Sequence, residues 1–216
     1  RGETPAHFED YPEISLGIMK MLFANNNSII TENNNVQLLI DGEETFSAMM
    51  EAIQNAHHHI HLEFYIFHND KLGSEIIQQL CRKAEVGVKV RILFDDVGNW
   101  GLKKKTITMM QRSGIEIFSF QKVRFPYLSS KVNYRNHRKL VVVDGRIGFT
   151  GGLNIADRYL EGDPELGYWR DTFVRIEGKA VWGIQNIFAA DWYFTSQQNI
   201  SNIEYYPLVK ECGEST

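Results

Sequence analysis

At 216 residues, with a formal net charge of −4 and 43% hydrophobic side chains, the chain has the composition of an ordinary globular protein and can bury one substantial core. It contains no apolar run near the roughly 18 to 20 residues of a membrane span, and no signal peptide is visible. Its two cysteines do not make a disulfide framework: Cys81 falls on the apolar face of a predicted helix, and Cys212 lies in a polar tail. A start at Arg1 rather than Met predicts a processed product or an excised piece.

Residues 1–35 form a separate compositional zone. Ile14, Ile18, Met19, Leu22 and Phe23 share one side of a possible helix, and the Asn25 to Asn27 and Asn33 to Asn35 clusters read as loops. The polar side of this helix lacks the basic residues of a membrane-lying helix, so it is expected to pack on its own domain. From Val36 the pattern becomes regular. Val36 to Ile40 reads as a strand; Asp41 and Glu44 have capping-box spacing ahead of Phe46, Met49, Met50 and Ile53 at helical spacing. His58 to Phe67 is the next strand, and a helix from Ser74 to Glu85 ends at Gly87. Val88 to Phe94 is a buried strand leading into Asp95 and Asp96, read as a turn or capping pair. A helix through Met109 stops at Gly114, and Ile115 to Phe120 is another strand. Asp171 to Ile176 is a late strand, and an aromatic helix from Ala180 to Tyr193 closes the core. Alternating strands and helices predict an α/β fold, a mostly parallel or mixed sheet flanked by helices on both faces. The expected organisation is an extension over 1–35, one domain over 36–200 and a polar tail over 201–216.

The most informative stretch is Arg135 to Asn154. It reads as a strand from Leu140 to Val143, an Asp144-Gly145 turn, a strand from Ile147 to Thr150, and the Gly151-Gly152 pair opening a short helix at Asn154. His137 and Lys139 are two residues apart, so on a strand both side chains leave one face. An imidazole beside an ammonium suits a phosphoryl group: one attacks phosphorus, the other neutralises its oxygens. The glycines would let backbone approach a ligand, and a helix start would add free N–H groups. Between Gly101 and Val143 there are ten Lys or Arg against one acid, Glu116, a local charge of +9 that leaves −13 for the remainder. Such a surface attracts anionic lipid or nucleic acid. A second polar run places His57, His59, His61, Glu63 and Tyr65 on one strand face, a set that could bind zinc or form a buried, hydrogen-bonded face.

The spacing His137-x-Lys139, Asp144, Gly151-Gly152-x-Asn154 resembles the HKD signature of the phospholipase D superfamily. The flanking words Tyr-Arg-Asn-His-Arg-Lys, Gly-Gly-Leu-Asn-Ile-Ala-Asp-Arg-Tyr and Trp169-Arg170-Asp171 are similar to the first catalytic half of bacterial cardiolipin synthases, a likeness running from about Leu38 to about Tyr193. The resemblance implies metal-independent phosphodiester chemistry, so neither a metal nor another cofactor is expected. His137 would be the nucleophile that forms a phosphohistidine, or the general acid for the leaving alcohol. Lys139 and Asn154, with backbone N–H groups near Gly152, would hold the non-bridging oxygens. Asp144 fits a structural pairing within the hairpin. Asp171 is expected to orient the imidazole, with Glu165 as runner-up. Gly151, Gly152, Arg135 and Glu63 are the expected substrate contacts; the Glu63-x-Tyr65-Ile66 word recurs in cardiolipin synthases and would bring Glu63, with His61, into the cleft.

The implied reaction transfers a phosphatidyl group between two phosphatidylglycerol molecules, giving cardiolipin and glycerol at the cytoplasmic membrane surface. Two imidazoles are needed and one HKD motif is present, so a second HKD half of a parent chain, or a second copy, must supply the other. The alternatives are a self-sufficient single-HKD phosphodiesterase, phospholipase or nuclease, acting as a homodimer, and a non-catalytic lipid-binding module. The lipid words make nucleic acid the less expected partner.

Overall fold

The computed structural model describes residues 13–26, 30–96, 98, 102–120 and 135–208. Helix α1 spans Glu13–Asn26, strand β1 Asn35–Ile40, α2 Asp41–Gln54, β2 His59–Phe64, α3 Lys71–Glu85, β3 Lys89–Asp95, α4 Lys104–Arg112 and β4 Glu116–Phe120. Then come β5 at Lys139–Val143, β6 at Ile147–Gly151, α5 at Arg158–Glu161, β7 at Thr172–Glu177 and α6 at Val181–Ser196. One seven-stranded sheet has the order β1-β7-β6-β5-β2-β3-β4.

The sheet is mixed. β2, β3 and β4 run parallel, because α3 and α4 carry the chain back across the sheet between them. β5 returns antiparallel to β2, and β6, β7 and β1 continue antiparallel. The reversal between β5 and β6 is a three-residue connection, closed by Arg146 N donating to the Val143 carbonyl at 3.0 Å, in which Asp144 and Gly145 both adopt positive φ, 53° and 64°. That geometry matches the right-handed twist of the flanking strands, and an Asp-Gly pair tolerates it.

Side-chain alternation sorts the core into two layers. Against α2 and α3 lie Leu62 and Phe64 of β2, Val141 and Val143 of β5, and Phe149 and Phe173. Against α6 lie Leu93, Leu140 and Val142, covered by Phe188 and Trp192. Cys81 is a buried core thiol in the first layer.

Three expectations change. Glu44 does reach back to accept from Ile40 N at 2.7 Å, but the N-cap of α2 is Ile40 and no side chain caps it; the Asp41 carboxylate is used elsewhere. Helix α1 leaves Ile18, Met21 and Leu22 exposed and Met19 partly buried, while the side chains of Ile14 and Phe23 lie outside the described residues. The segment 201–208 is more than a polar tail, since a 3₁₀ turn at Ile203–Tyr205 drives Tyr205 into the layer under α6. Among the described residues no helix is long and apolar enough to cross a membrane.

Phe149, fully buried on β6, should be a principal stability determinant. Phe149→Ala is expected to cost about 3–5 kcal/mol, read as a lowered urea midpoint with an unchanged m-value.

Candidate active site

Lys139 opens β5, and His137 sits in the extended segment just before it. The expected same-face pairing is realised as a contact. The Lys139 ammonium lies 2.7 Å from His137 Nδ1 and 3.2 Å from Nε2, and it donates to the His137 carbonyl at 2.8 Å. The Tyr65 ring packs on both: its centroid is 4.6 Å from that of His137 and 5.7 Å from the ammonium. His137 is exposed while Lys139 is only 4% exposed.

This asymmetry sets the protonation states. Burial pushes the Lys139 ammonium down to about 8, opposed by the negative charge of Asp171. Burial, and then the Lys139 charge, lower His137 below its ordinary value, with Asp95 acting the other way. At neutral pH the site therefore holds a mostly charged lysine against a neutral imidazole, the state a nitrogen nucleophile requires.

Asp171 lies at the mouth of β7 and is fastened to Asp41. Asp171 N donates to Asp41 Oδ1 at 2.8 Å, and Asp41 N donates to the Asp171 carbonyl at 3.0 Å. Asp41 holds this position with φ of 60°, its carboxylate also accepting from the Tyr168 hydroxyl. That bond, then the Asp171 amide, holds its carboxyl below the usual range. The Asp171 carboxylate accepts from Thr172 N at 2.7 Å and Trp169 Nε1 at 3.3 Å; its described hydrogen bonds do not include His137. Glu165 is exposed in the turn that Asp163 and Gly167 close.

The two glycines are needed for contacts within the chain. A Cβ on Gly151 would meet the Phe173 ring at 2.3 Å, and one on Gly152 would meet Asp171 Oδ1 at 2.1 Å. Gly152 N already donates to the Thr172 carbonyl at 3.2 Å, so it is not the free donor expected for phosphate. No helix opens at Asn154 either, since α5 starts at Arg158. The segment is instead zipped to the chain after β2. Asn154 Oδ1 accepts from Ile66 N at 3.0 Å, and Ile155 exchanges backbone bonds with Ile66 and His68. Asp157 N donates to Asp70 at 2.7 Å, while the Asp157 carboxylate accepts from Leu72 N at 2.7 Å. Asn154 Nδ2 donates to Tyr159 Oη at 2.9 Å and keeps a second N–H.

Asp144 pairs beyond its own hairpin. Its carboxylate accepts from the backbone N–H groups of His57, His58 and His59 at 2.8, 2.8 and 2.9 Å. It thus anchors the start of β2, at the far end of β5 from His137.

Glu63 and His61 do not line the cleft. In the β2/β5 register Phe64 lies opposite Lys139 and Glu63 opposite Leu140, so Glu63 leaves the sheet on the face under α6. His61 is stacked on Phe188 at 4.5 Å and bonded to Gln185 at 3.0 Å. His59, also buried, meets His58 at 2.7 Å. Burial holds His61 well below its ordinary value and His59 near about 4, so this is a neutral structural face. Among the described residues no three His, Cys, Asp or Glu side chains are grouped to hold a metal. Arg135, expected at the substrate, pairs with the buried Asp95 at 3.4 Å. Asp95 also accepts from Gly98 N, the turn role expected of it. In the basic stretch, Lys103, Lys104 and Lys105 are exposed at the start of α4, whereas Lys122, Arg124 and Lys131 lie outside the described residues. The site roles of Asp41 and Asn136 were not read from the sequence; Tyr65, read onto the face of Glu63, lies beyond the end of β2 and packs instead on His137 and Lys139.

A buried ammonium thus lies against an exposed imidazole on a mixed α/β sheet. Residues 49–192 match the family model described as cardiolipin synthase, PLD-like domain, and the chain belongs to this phospholipase D-like family. It is 45% identical over 179 residues to a cardiolipin synthase of Halalkalibacterium halodurans, covering 83% of this chain and 36% of that protein. It is 44% identical over 204 residues to cardiolipin synthase 2 of Bacillus anthracis, covering 94% and 39% respectively. The chain thus spans little more than a third of these relatives. Two solved structures share the fold. One is the phospholipase D family member Nuc from Salmonella typhimurium, with TM-score 0.57 and 20% identity over 78% of this chain and 99% of that one. The other is a phosphatidylserine synthase from Haemophilus influenzae, with TM-score 0.54 and 20% identity over 70% and 35%.

Two outcomes follow from these placements. Asp144→Ala leaves three strand N–H groups without their acceptor and should cost about 2–4 kcal/mol in chemical denaturation, with the His137 ring titration unchanged. Inorganic phosphate, a dianion above neutrality, should bind progressively more weakly as pH rises through about 8, where the Lys139 ammonium is lost. Lys139→Met should bind weakly at every pH and show no such dependence, followed on the His137 ring resonances.

Proposed function

We propose that this chain is one catalytic half of a phosphatidyltransferase that converts two phosphatidylglycerol molecules into cardiolipin and glycerol. The observation that carries the reading is the Lys139 ammonium against the His137 imidazole, within a chain that is 45% identical to a cardiolipin synthase. His137 attacks phosphorus of the first lipid. A P–N bond forms, the P–O bond to the terminal glycerol breaks, and glycerol leaves with a proton from a second imidazole. The hydroxyl of the second lipid then returns a proton to that imidazole and attacks phosphorus, breaking the P–N bond and regenerating His137. Lys139 and the remaining Asn154 N–H hold the non-bridging oxygens; losing one such donor costs about 10² to 10³ in rate.

Asp171 is the orienting acid of this reading. In the free site the ammonium occupies His137 Nδ1. An arriving phosphate draws Lys139 onto its oxygens and frees that nitrogen for a carboxylate, which then sets the tautomer. The second imidazole belongs to the other HKD half, since this chain carries a single His-x-Lys spacing. The substrate lives in the bilayer, which puts the reaction at a membrane surface, on the cytoplasmic side.

A second reading, a homodimeric single-motif phosphodiesterase, draws on the likeness to Nuc, whose chain is covered to 99%. The two separate in one assay at two protein concentrations, with phosphatidylglycerol vesicles and, apart from them, plasmid DNA. Lipid transfer that needs the second half supports the first reading. Lipid turnover that rises per subunit with dimer fraction supports the second, and DNA cleavage without lipid turnover overturns the lipid assignment. In the transferring enzyme His137→Ala should abolish phosphohistidine formation, and Asp171→Asn should slow transfer at least about a hundredfold.

A further inference from the structure

His137 is exposed, yet the residues on both sides of it are held by acids of β2, β3 and α6. Asn136 is 6% exposed, and its backbone N–H and both side-chain polar atoms have partners. Its backbone N–H donates to Asp95 Oδ2 at 3.3 Å, and its Oδ1 accepts from Arg138 N at 3.1 Å. Its Nδ2 donates to Glu63 Oε1 and, at 3.3 Å, to Asp191 Oδ2. Arg138 Nη1 donates to the same Asp191 oxygen at 2.7 Å. Three acids from three elements, β2, the end of β3 and α6, thus converge on the tripeptide that carries the imidazole.

Two carboxyl groups meeting at one amide, with one guanidinium beside them, cannot both be ionised without cost. Glu63 is 2% exposed, and its Oε2 has no donor among the described residues. A proton on Glu63 resolves this, because the carboxyl can then donate to its acidic neighbour. We propose that Glu63 and Asp191, bridged by one proton and clamped on the Asn136 amide, are positioning residues that hold His137 in its attacking position. Burial, and then the Asp191 charge, raise Glu63 to about 9, which keeps it neutral at physiological pH. Asp191 then balances Arg138, and Asp95 balances Arg135. The device acts through peptide geometry: His137 has one held residue before it and one after, and a displacement of about 1 Å at a nucleophile costs on the order of 10² in rate.

This inference rests on His137 being the nucleophile, and its test is built to fail separately. Glu63→Ala, Glu63→Gln and Asp191→Ala are made in this chain and in the parent enzyme that contains it. Amide hydrogen exchange over residues 136–138 is read in the chain, and kcat and KM for phosphatidyl transfer in the parent. Glu63→Ala and Asp191→Ala should speed exchange about tenfold and lower kcat about 10- to 100-fold, with KM within about twofold. Glu63→Gln carries a neutral donor in the same shape and should restore both. Folded Glu63→Ala and Asp191→Ala proteins with wild-type exchange would overturn the clamp, as would a Glu63→Gln protein no better than Glu63→Ala. If either alanine variant does not fold, Arg138→Gln carries the test, because that side chain is half exposed and its loss removes the charge opposite Asp191. Exchange that responds as expected in a chain whose parent transfers no phosphatidyl group leaves the clamp standing and removes the functional reading.

Discussion

Everything at this site depends on a lysine ammonium that has been taken out of water. Lys139 is 4% exposed, and an ammonium so placed is stable only if its protons find acceptors and its charge finds a counter-charge. It finds a carbonyl and an imidazole on His137, the Tyr65 ring and the nearby Asp171 charge. The arrangement leaves the lysine easier to neutralise than an exposed one, and leaves His137 unprotonated. Burial lowers the basicity of both groups, so at neutral pH His137 keeps its lone pair while Lys139 keeps most of its charge.

The strand period of two is what lets β2 and β5 do different work on their two faces. Lys139 faces the layer of Phe64 and Phe149, beside the reactive edge. Glu63, on the neighbouring strand, faces α6 and meets the chain just before His137 from behind. The reactive group and its support are therefore separated by the thickness of a sheet and joined through Asn136. Asp144 fastens the other end of the same two strands, so one strand pair is held at both ends by carboxylates.

Much of this was legible in the residues. The strands and helices announced themselves by period, the β5/β6 reversal by its Asp-Gly pair, and the reactive centre by the His-x-Lys spacing. The mixed sheet was one of the two arrangements expected, and the antiparallel half follows from the hairpin. What was not legible depended on partners distant in the chain. Glu63 reads as a cleft residue until the register puts it opposite Leu140. The helix expected at Asn154 does not form because Ile66 and His68 take the local backbone groups. The Asp41 and Glu44 spacing promised a cap, but Asp41 is drawn to Asp171, about 130 residues away. The histidine strand read as a cleft-lining face ahead of a buried face or a metal set, and the burial of His61 against Phe188 and Gln185 under α6 was not visible in it.

Gly152 carries a consequence of another kind. Its missing side chain is the space in which the Asp171 carboxylate rests, at a distance no real Cβ could share. Any mutation of this position is therefore also a mutation of the local electric field, since the carboxylate would have to swing away from the lysine whose charge it supports. Backbone shape and site potential are here a single variable, and sequence drift at residue 152 is confined by electrostatics as tightly as by space.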